Sequence, residues 1–244
     1  PGVCPIAFEG YVFDAASKSQ LGSHTRGEAS RLLFECGYVV LRGAMNVSLL
    51  QHVHKETMAF LASSERSKFQ TPLLGQGRDE VALPFRAPFN AKELVANPLV
   101  LSLLNDVLGK KLKLEHMSVI NSHPGSTTQS FHKDYPSLYS PSDPDSSELQ
   151  REVLNALAGP SGKGRLPPFA IKVSIPLVDV TAALGPTEVC VGHLPKIGSS
   201  HHDMPGCAEP LRAISSLGDV VLYDYQVDHR GPANTGLDDR PVLD

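Results

Sequence analysis

A histidine and an aspartate two residues apart, His132 and Asp134 in the stretch QSFHKDYP (129–136), are the first residues of this chain whose types and spacing could do chemistry. On an extended strand, neighbours two apart point to the same side. Both could then reach one metal ion, while Phe131 and Lys133 turn the other way. A third ligand must come from elsewhere, and His229, which ends the strand-like run DVVLYDYQVDH, is the best candidate. Two imidazoles and one carboxylate on one side of a metal suit non-haem Fe(II). The nitrogens hold the ferrous ion and the carboxylate offsets part of its charge. Three adjacent positions stay open for a co-substrate and dioxygen.

Other pairs with this spacing are weaker. His52, His54 and Glu56 fall in a helical run, where a two-residue step turns the side chain by about 200° and separates it from its neighbour. His201, His202 and Asp203 lie among serines, Pro205 and Gly206 and read as a solvated turn; they are the fallback ligand set. His116, His123 and His193 read as structural. Arg240 stands eleven residues beyond His229, after HRGPANTGLDD. A turn at Gly231-Pro232 would bring it back beside its own strand, where a guanidinium fork could bind a ligand carboxylate bidentately. The plainer reading of Arg240 is a surface residue paired with Asp238 or Asp239.

The elements that must position these residues divide the chain. GEASRLLFEC (27–36) reads as a helix stopped by Gly37, and YVVLRG as a strand. Asn46 can cap a second helix with Leu49, Leu50, Val53, Phe60 and Leu61 largely on one face. NPLVLSLLNDVLG reads as a third helix, with Pro98 in its first turn and Gly109 as its stop. Beyond it the runs KLKLEHMSVIN, QSFHKDY, FAIKVSIPLVDV, TEVCVG and DVVLYDYQVDH are β-branched and aromatic, separated by Pro124-Gly125, Gly185-Pro186, Leu217-Gly218 and Gly231-Pro232. Helices followed by strands predict an α+β, mainly β chain whose strands form a sandwich or barrel. Residues 137–168, polar and rich in Pro and Gly at both ends, interrupt the strands. A helix centred on DSSELQREVLNALAG, with Asp145 and Glu148 as a capping box, is expected within them. This segment is expected to act as a lid; the plainer reading is a surface insertion. One domain spans 1–244: a helix-rich support (27–110) and a strand-rich core (111–244) carrying the insertion.

The 244 residues, 41% of them hydrophobic, suffice for one sizeable core. A net charge of −4 leaves no basic face of the kind that binds nucleic acid. No apolar run reaches the roughly 18–20 residues that cross a bilayer. Cys4, Cys36, Cys190 and Cys207 form no CxxC pair and are too sparse for a disulfide scaffold, which predicts a reducing, intracellular, cytoplasmic protein. The chain opens on Pro1 rather than methionine and closes in what reads as the start of a strand, so both ends are expected to be boundaries of a longer chain, and an organelle is not excluded.

FHKDYP, GPTEVCVGHLP and GDVVLYDYQVDHRGPANTGLDDRP together resemble the phytanoyl-CoA dioxygenase family of Fe(II)/2-oxoglutarate oxygenases, and FECGYVVLRGAM is similar to the family's opening helix and strand. The similarity is scattered over nearly the whole chain and densest from 129 to 241. It implies a double-stranded β-helix, a jelly-roll barrel with helices outside it. It implies Fe(II) on His132, Asp134 and His229, 2-oxoglutarate on Arg240, and O2 as the second co-substrate. Two departures stand out. VGHLP replaces the family's P-G-S-H, which shifts or replaces that element at His193. Gly231 stands where many relatives carry a serine that helps bind the co-substrate, so another hydroxyl, Ser174 or Thr128, is expected to help Arg240. Gln129 and Lys172 are further candidates to touch 2-oxoglutarate; Tyr135, His193 and Tyr225 are candidates to touch substrate. The expected reaction is hydroxylation of an aliphatic C–H of a small molecule, with release of succinate and CO2. The alternatives are a non-catalytic jelly-roll metal or ligand binder and a Zn(II) hydrolase, which would have no use for Arg240.

Overall fold

The computed structural model describes residues 4–16, 18–69, 76–134, 148, 152, 167–192, 194 and 206–244, and among these residues four α-helices and ten strands have both ends defined. Strand β1 (Val12–Asp14) leads to α1 (Ser23–Cys36), β2 (Tyr38–Arg42), α2 (Val47–Ala62), β3 (Arg78–Ala82), α3 (Lys92–Val95) and α4 (Pro98–Leu108). Then come β4 (Ser118–Ser122), β5 (Ile171–Pro176), β6 (Glu188–Val189), β7 (Leu211–Arg212), β8 (Val220–Asp224), β9 (His229–Arg230) and β10 (Arg240–Leu243). A seven-stranded sheet runs in the order β1-β2-β8-β5-β10-β4-β3, and a three-stranded sheet in the order β7-β6-β9. This is the mainly-β, two-sheet arrangement expected of a jelly-roll; the large sheet is not closed.

The helices form where the sequence signals them. Gly37 ends α1 with φ 78°, and its amide bonds back to the carbonyls of Leu32 and Leu33. Glycine takes this left-handed turn without a Cβ penalty. Asn46 caps α2 by accepting from the Leu49 amide at 3.1 Å, and Asn97 caps α4 through the amides of Leu99 and Val100. Leu32, Leu33 and Cys36 of α1 and Leu99, Val100 and Leu103 of α4 are buried in the core. All five residues of β8 are buried, as are the first four of β2. Such uninterrupted runs belong to strands covered on both faces.

Several boundaries differ from the sequence reading, each for a physical reason. α1 starts at Ser23, one turn earlier, because Arg26 already bonds to the Gly22 carbonyl. β1 and β3 were not foreseen; β3 carries the charged run RDEVA, which does not look like a strand until it pairs with β4. KLKLEHMSVIN is a strand only from Ser118. The run DVVLYDYQVDH breaks after Asp224, where the Asp224 side chain accepts from the Gln226 amide and its carbonyl from the Val227 amide. An Asx turn thus divides one expected strand into two, and His229 begins β9 in the other sheet. Residues 129–134 form no named strand; His132 pairs with His229 in an isolated bridge, and the Gln129 amide bonds to the Gly231 carbonyl.

The cysteines are paired, Cys4 with Cys36 and Cys190 with Cys207, so the expectation of free thiols fails and with it the ground for a reducing compartment. The partners stand 32 and 17 residues apart in sequence, a spacing that only the fold brings together. No described helix is long and apolar enough to cross a membrane. The expected lid lies almost wholly outside the described residues. So do Tyr135, His193, His201, His202 and Asp203. β10 hydrogen-bonds to both β4 and β5. Residues 111–117 and 169–173 line a groove of about 730 Å³ with Val100, Leu104 and Leu108 of α4.

Candidate metal centre

His132 and His229 exchange both of their backbone hydrogen bonds, each at 2.9 Å. In an antiparallel pair such residues are held close and their side chains project to one face. The imidazole centroids are 4.6 Å apart. Each ring is oriented from behind: Nδ1 of His132 lies 2.9 Å from the carbonyl of Ser130, and Nδ1 of His229 lies 3.1 Å from that of Val227. A carbonyl can only accept, so each Nδ1 carries the proton and each Nε2 keeps its lone pair for a metal. Burial, and then His229, push the His132 pKa down, which keeps this imidazole neutral.

Asp134 completes the group. Its Oδ1 is 3.4 Å from Nε2 of His229, and its Oδ2 is 3.0 Å from Nζ of Lys172. Burial opposes charge on Asp134, but the neighbouring His229 and Lys172 outweigh it and hold the carboxyl well below the usual range. One ligand atom from each of His132, Asp134 and His229 lies within 4.8 Å of the other two, and no other such group occurs among the described residues. Two nitrogens and one oxygen from a bridge and its neighbour fit a facially bound divalent ion with an open side.

Arg240 approaches from the large sheet. It sits on β10 directly opposite Ser122 of β4, and Ser122 is in turn opposite Arg78 of β3. The three residues form one row across three strands, with their side chains on one face. Ser122 Oγ accepts from Arg240 Nη2 at 2.9 Å and from Arg78 Nε at 3.1 Å. Arg240 also donates through Nη1 to the Gly185 carbonyl, and Arg78 to the carbonyls of Thr127, Gly231 and Pro232. Both arginines are buried, at 4% and 2% exposure, and among the described residues neither has a carboxylate partner. Burial, then Arg78, push the Arg240 pKa down to about 10. Its Nε has no hydrogen-bond partner. Arg240 lines a cavity of about 20 Å³ with Ser174, Thr187, Ser215 and Tyr223. Tyr223 bridges the two clusters, its ring centroid 4.9 Å from that of His229.

The other expected contacts sort differently. Ser174 lines the same cavity as Arg240. Thr128 does not reach Arg240; its Oγ1 accepts from the Ala233 amide at 3.0 Å. Gln129 accepts from the Gly231 amide at 2.8 Å, which spends its carbonyl on the turn. A Cβ at Gly231 would lie 2.7 Å from Gln129 Oε1, the far end of a side chain that can turn away. Tyr225 lines the large groove beside Lys172 and Asp244. Sequence reasoning missed Arg78 and Ser122. The signal for both is their register opposite Arg240, which needs the strand pairing.

The family model for "Phytanoyl-CoA dioxygenase (PhyH)" matches residues 34–242. Among solved structures, the fold resembles the non-haem α-ketoglutarate-dependent epimerase SnoN from nogalamycin biosynthesis, in complex with Fe3+, α-ketoglutarate and nogalamycin RO (TM-score 0.66, 17% identity, 91% of this chain and 82% of that one). It also resembles the non-haem α-ketoglutarate-dependent carbocyclase SnoK (0.63, 16%, 91% and 82%) and HygX from Streptomyces hygroscopicus with nickel and 2-oxoglutarate bound (0.58, 15%, 86% and 81%).

Proposed function

Because this chain belongs to the phytanoyl-CoA dioxygenase family, we propose that it hydroxylates an aliphatic C–H bond of a small molecule, with His132, Asp134 and His229 as the iron ligands and Arg240 as the anchor of 2-oxoglutarate. The class is that of Fe(II)- and 2-oxoglutarate-dependent oxygenases. The observation that carries the residue assignment is the pairing of a ligand set within 4.8 Å with a buried arginine whose Nε lacks a partner. A buried cation without an anion is costly, and a carboxylate accepting at Arg240 would relieve that cost.

The iron, when bound, supplies the activation of dioxygen. The protein supplies positioning. The backbone bridge fixes the two imidazoles, and the carbonyls of Ser130 and Val227 fix their tautomers. Arg240 and Ser122 orient the distal carboxylate of 2-oxoglutarate, with Ser174 and Thr187 lining the same space. That space has room for about one water, so the dicarboxylate must displace side chains to reach the guanidinium. In the balanced reaction one oxygen atom of O2 enters the substrate C–H bond and the other enters succinate, with CO2 leaving.

Hydroxylation asks nothing more of the protein. Epimerisation needs a side chain that donates a hydrogen atom, and cyclisation needs a second substrate position held beside the first. The bound ligands of the structural relatives, nogalamycin RO in SnoN and hygromycin B in HygX, support a small-molecule substrate here. The test is aerobic incubation with Fe(II), 2-oxoglutarate and a library of such compounds. Succinate formation together with a product one oxygen atom heavier is the expected result. An isomeric or dehydrogenated product would replace hydroxylation. No succinate with any compound would favour the non-catalytic binder, and turnover without oxygen would favour a hydrolase.

A further inference from the structure

Lys172 is buried beside the ligand set, and the reaction as described gives it no task. It lies on β5, two residues before Ser174 and therefore on the same face of the sheet. Its ammonium is held from three sides: Asp134 Oδ2 at 3.0 Å, Asp244 Oδ2 at 3.4 Å, and the face of Tyr223 at 6.0 Å. The two oxygens of Asp134 are thereby divided. Oδ1 faces His229 Nε2 at 3.4 Å, and Oδ2 faces Lys172.

We propose that Lys172 is a positioning residue that keeps Asp134 a one-oxygen ligand of the metal. The inference rests on the iron and 2-oxoglutarate reading above. A carboxylate with both oxygens free can chelate a divalent ion through the pair. That would take one of the three positions that a facial triad leaves open, and 2-oxoglutarate and dioxygen together need all three. An ammonium 3.0 Å from Oδ2 engages that oxygen in a buried ion pair. Asp244 and Tyr223 keep the ammonium in place independently of Asp134, so it is present whichever way the carboxylate turns. The ammonium's repulsion of the ion and its ordering of the ligand act in opposite directions on metal affinity. On chelation of 2-oxoglutarate they act in the same direction, since both the open position and the positive charge favour the incoming dianion.

This split is the test. Lys172→Met keeps the length and apolar stem and removes the charge; Lys172→Arg keeps a cation beside Oδ2. Anaerobic titration gives Fe(II) affinity, and the visible charge-transfer absorption of the Fe(II)·2-oxoglutarate complex reports chelation independently of turnover. In Lys172→Met, Fe(II) affinity is expected to stay equal or rise, while 2-oxoglutarate affinity falls about 10–100-fold, the scale on which losing an outer partner lowers metal affinity or activity in metal sites generally, with a weakened band. Lys172→Arg should restore the band. A fall of both affinities together, or a full band at unchanged 2-oxoglutarate affinity in Lys172→Met, overturns the proposal. Absence of the band in the parent protein overturns the iron and 2-oxoglutarate reading itself, and this inference with it.

Discussion

The metal end and the arginine end of this interior are built in opposite ways. The ligands His132, Asp134 and His229 come from irregular backbone, a single bridge and a two-residue strand, and the charge of Asp134 is offset internally by Lys172. Arg78, Ser122 and Arg240 come from the regular ladder of three adjacent strands, and their charge is not balanced. The first arrangement sets one ammonium between the carboxylates of Asp134 and Asp244, a net negative socket that suits a cation. The second is a rigid excess of positive charge that calls for an anion. A ligand with a metal-chelating head and a carboxylate tail matches both ends at once.

The largest effect should come from breaking the metal end. His229→Ala removes a ligand and leaves His132 and Asp134 without their third partner. Fe(II) affinity is expected to drop by more than about 100-fold, beyond the range typical of outer partners. Anaerobic metal titration measures it, and retention of iron by this variant would move the site elsewhere, with His201 and Asp203 as the next residues to substitute.

Next in size is the arginine end. Arg240→Met should leave Fe(II) binding unchanged and weaken 2-oxoglutarate by roughly 30-fold to several thousand-fold, the equivalent of about 2–5 kcal/mol for a desolvated charged contact. Equal 2-oxoglutarate affinity in parent and variant would mean that the uncompensated charge serves the fold alone. A smaller loss is expected from Ser122→Ala. That change deprives both guanidiniums of a shared acceptor, and an unsatisfied buried donor costs about 1–3 kcal/mol. 2-Oxoglutarate affinity should fall about 5- to 100-fold. A fall in thermal stability with unchanged 2-oxoglutarate affinity would make Ser122 part of the scaffold only.

The same contrast decides what could be read from sequence. His132, Asp134, His229 and Arg240 were legible because their chemistry demands particular residue types at recognisable spacings. Asn46, Gly37 and Gly109 were legible because caps and stops act within one turn of chain. Arg78 and Ser122 were not, because each matters only through its neighbour on another strand, and RDEVA carries no strand signal of its own. The break at Tyr225–Val227 was hidden because an Asx turn at Asp224 needs one side chain and no glycine or proline. The cysteine pairs were hidden for the reason that hid the arginine row: contacts between distant residues leave no local pattern.

The smallest predicted effect lies at the outer edge of the arginine row. His123 follows Ser122, and its ring nitrogens contact Asp239 Oδ1 and Asp79 Oδ2, both at 2.9 Å; Asp239 immediately precedes Arg240. Burial works against charge on this ring, but the hydrogen bonds and charges of the two carboxylates prevail and raise its pKa. A raised folded pKa means that the imidazolium contributes stability fully below its unfolded value of about 6.5. That contribution is lost as pH rises through the folded value. The ring is 41% exposed, so solvent screens the pair and little energy is at stake. An exposed pair is worth at most about 1 kcal/mol, or about 2–4 °C in a chain of this length. Burial lowers the His132 pKa, which acts in the opposite direction with pH, so the parent's profile alone does not isolate His123. The measurement is the difference in Tm between the parent and His123→Gln. It should be largest below about pH 6.5 and shrink towards higher pH. A difference that is flat or grows with pH would show that the two carboxylates do not hold a charged histidine, and that the edge of the row is neutral.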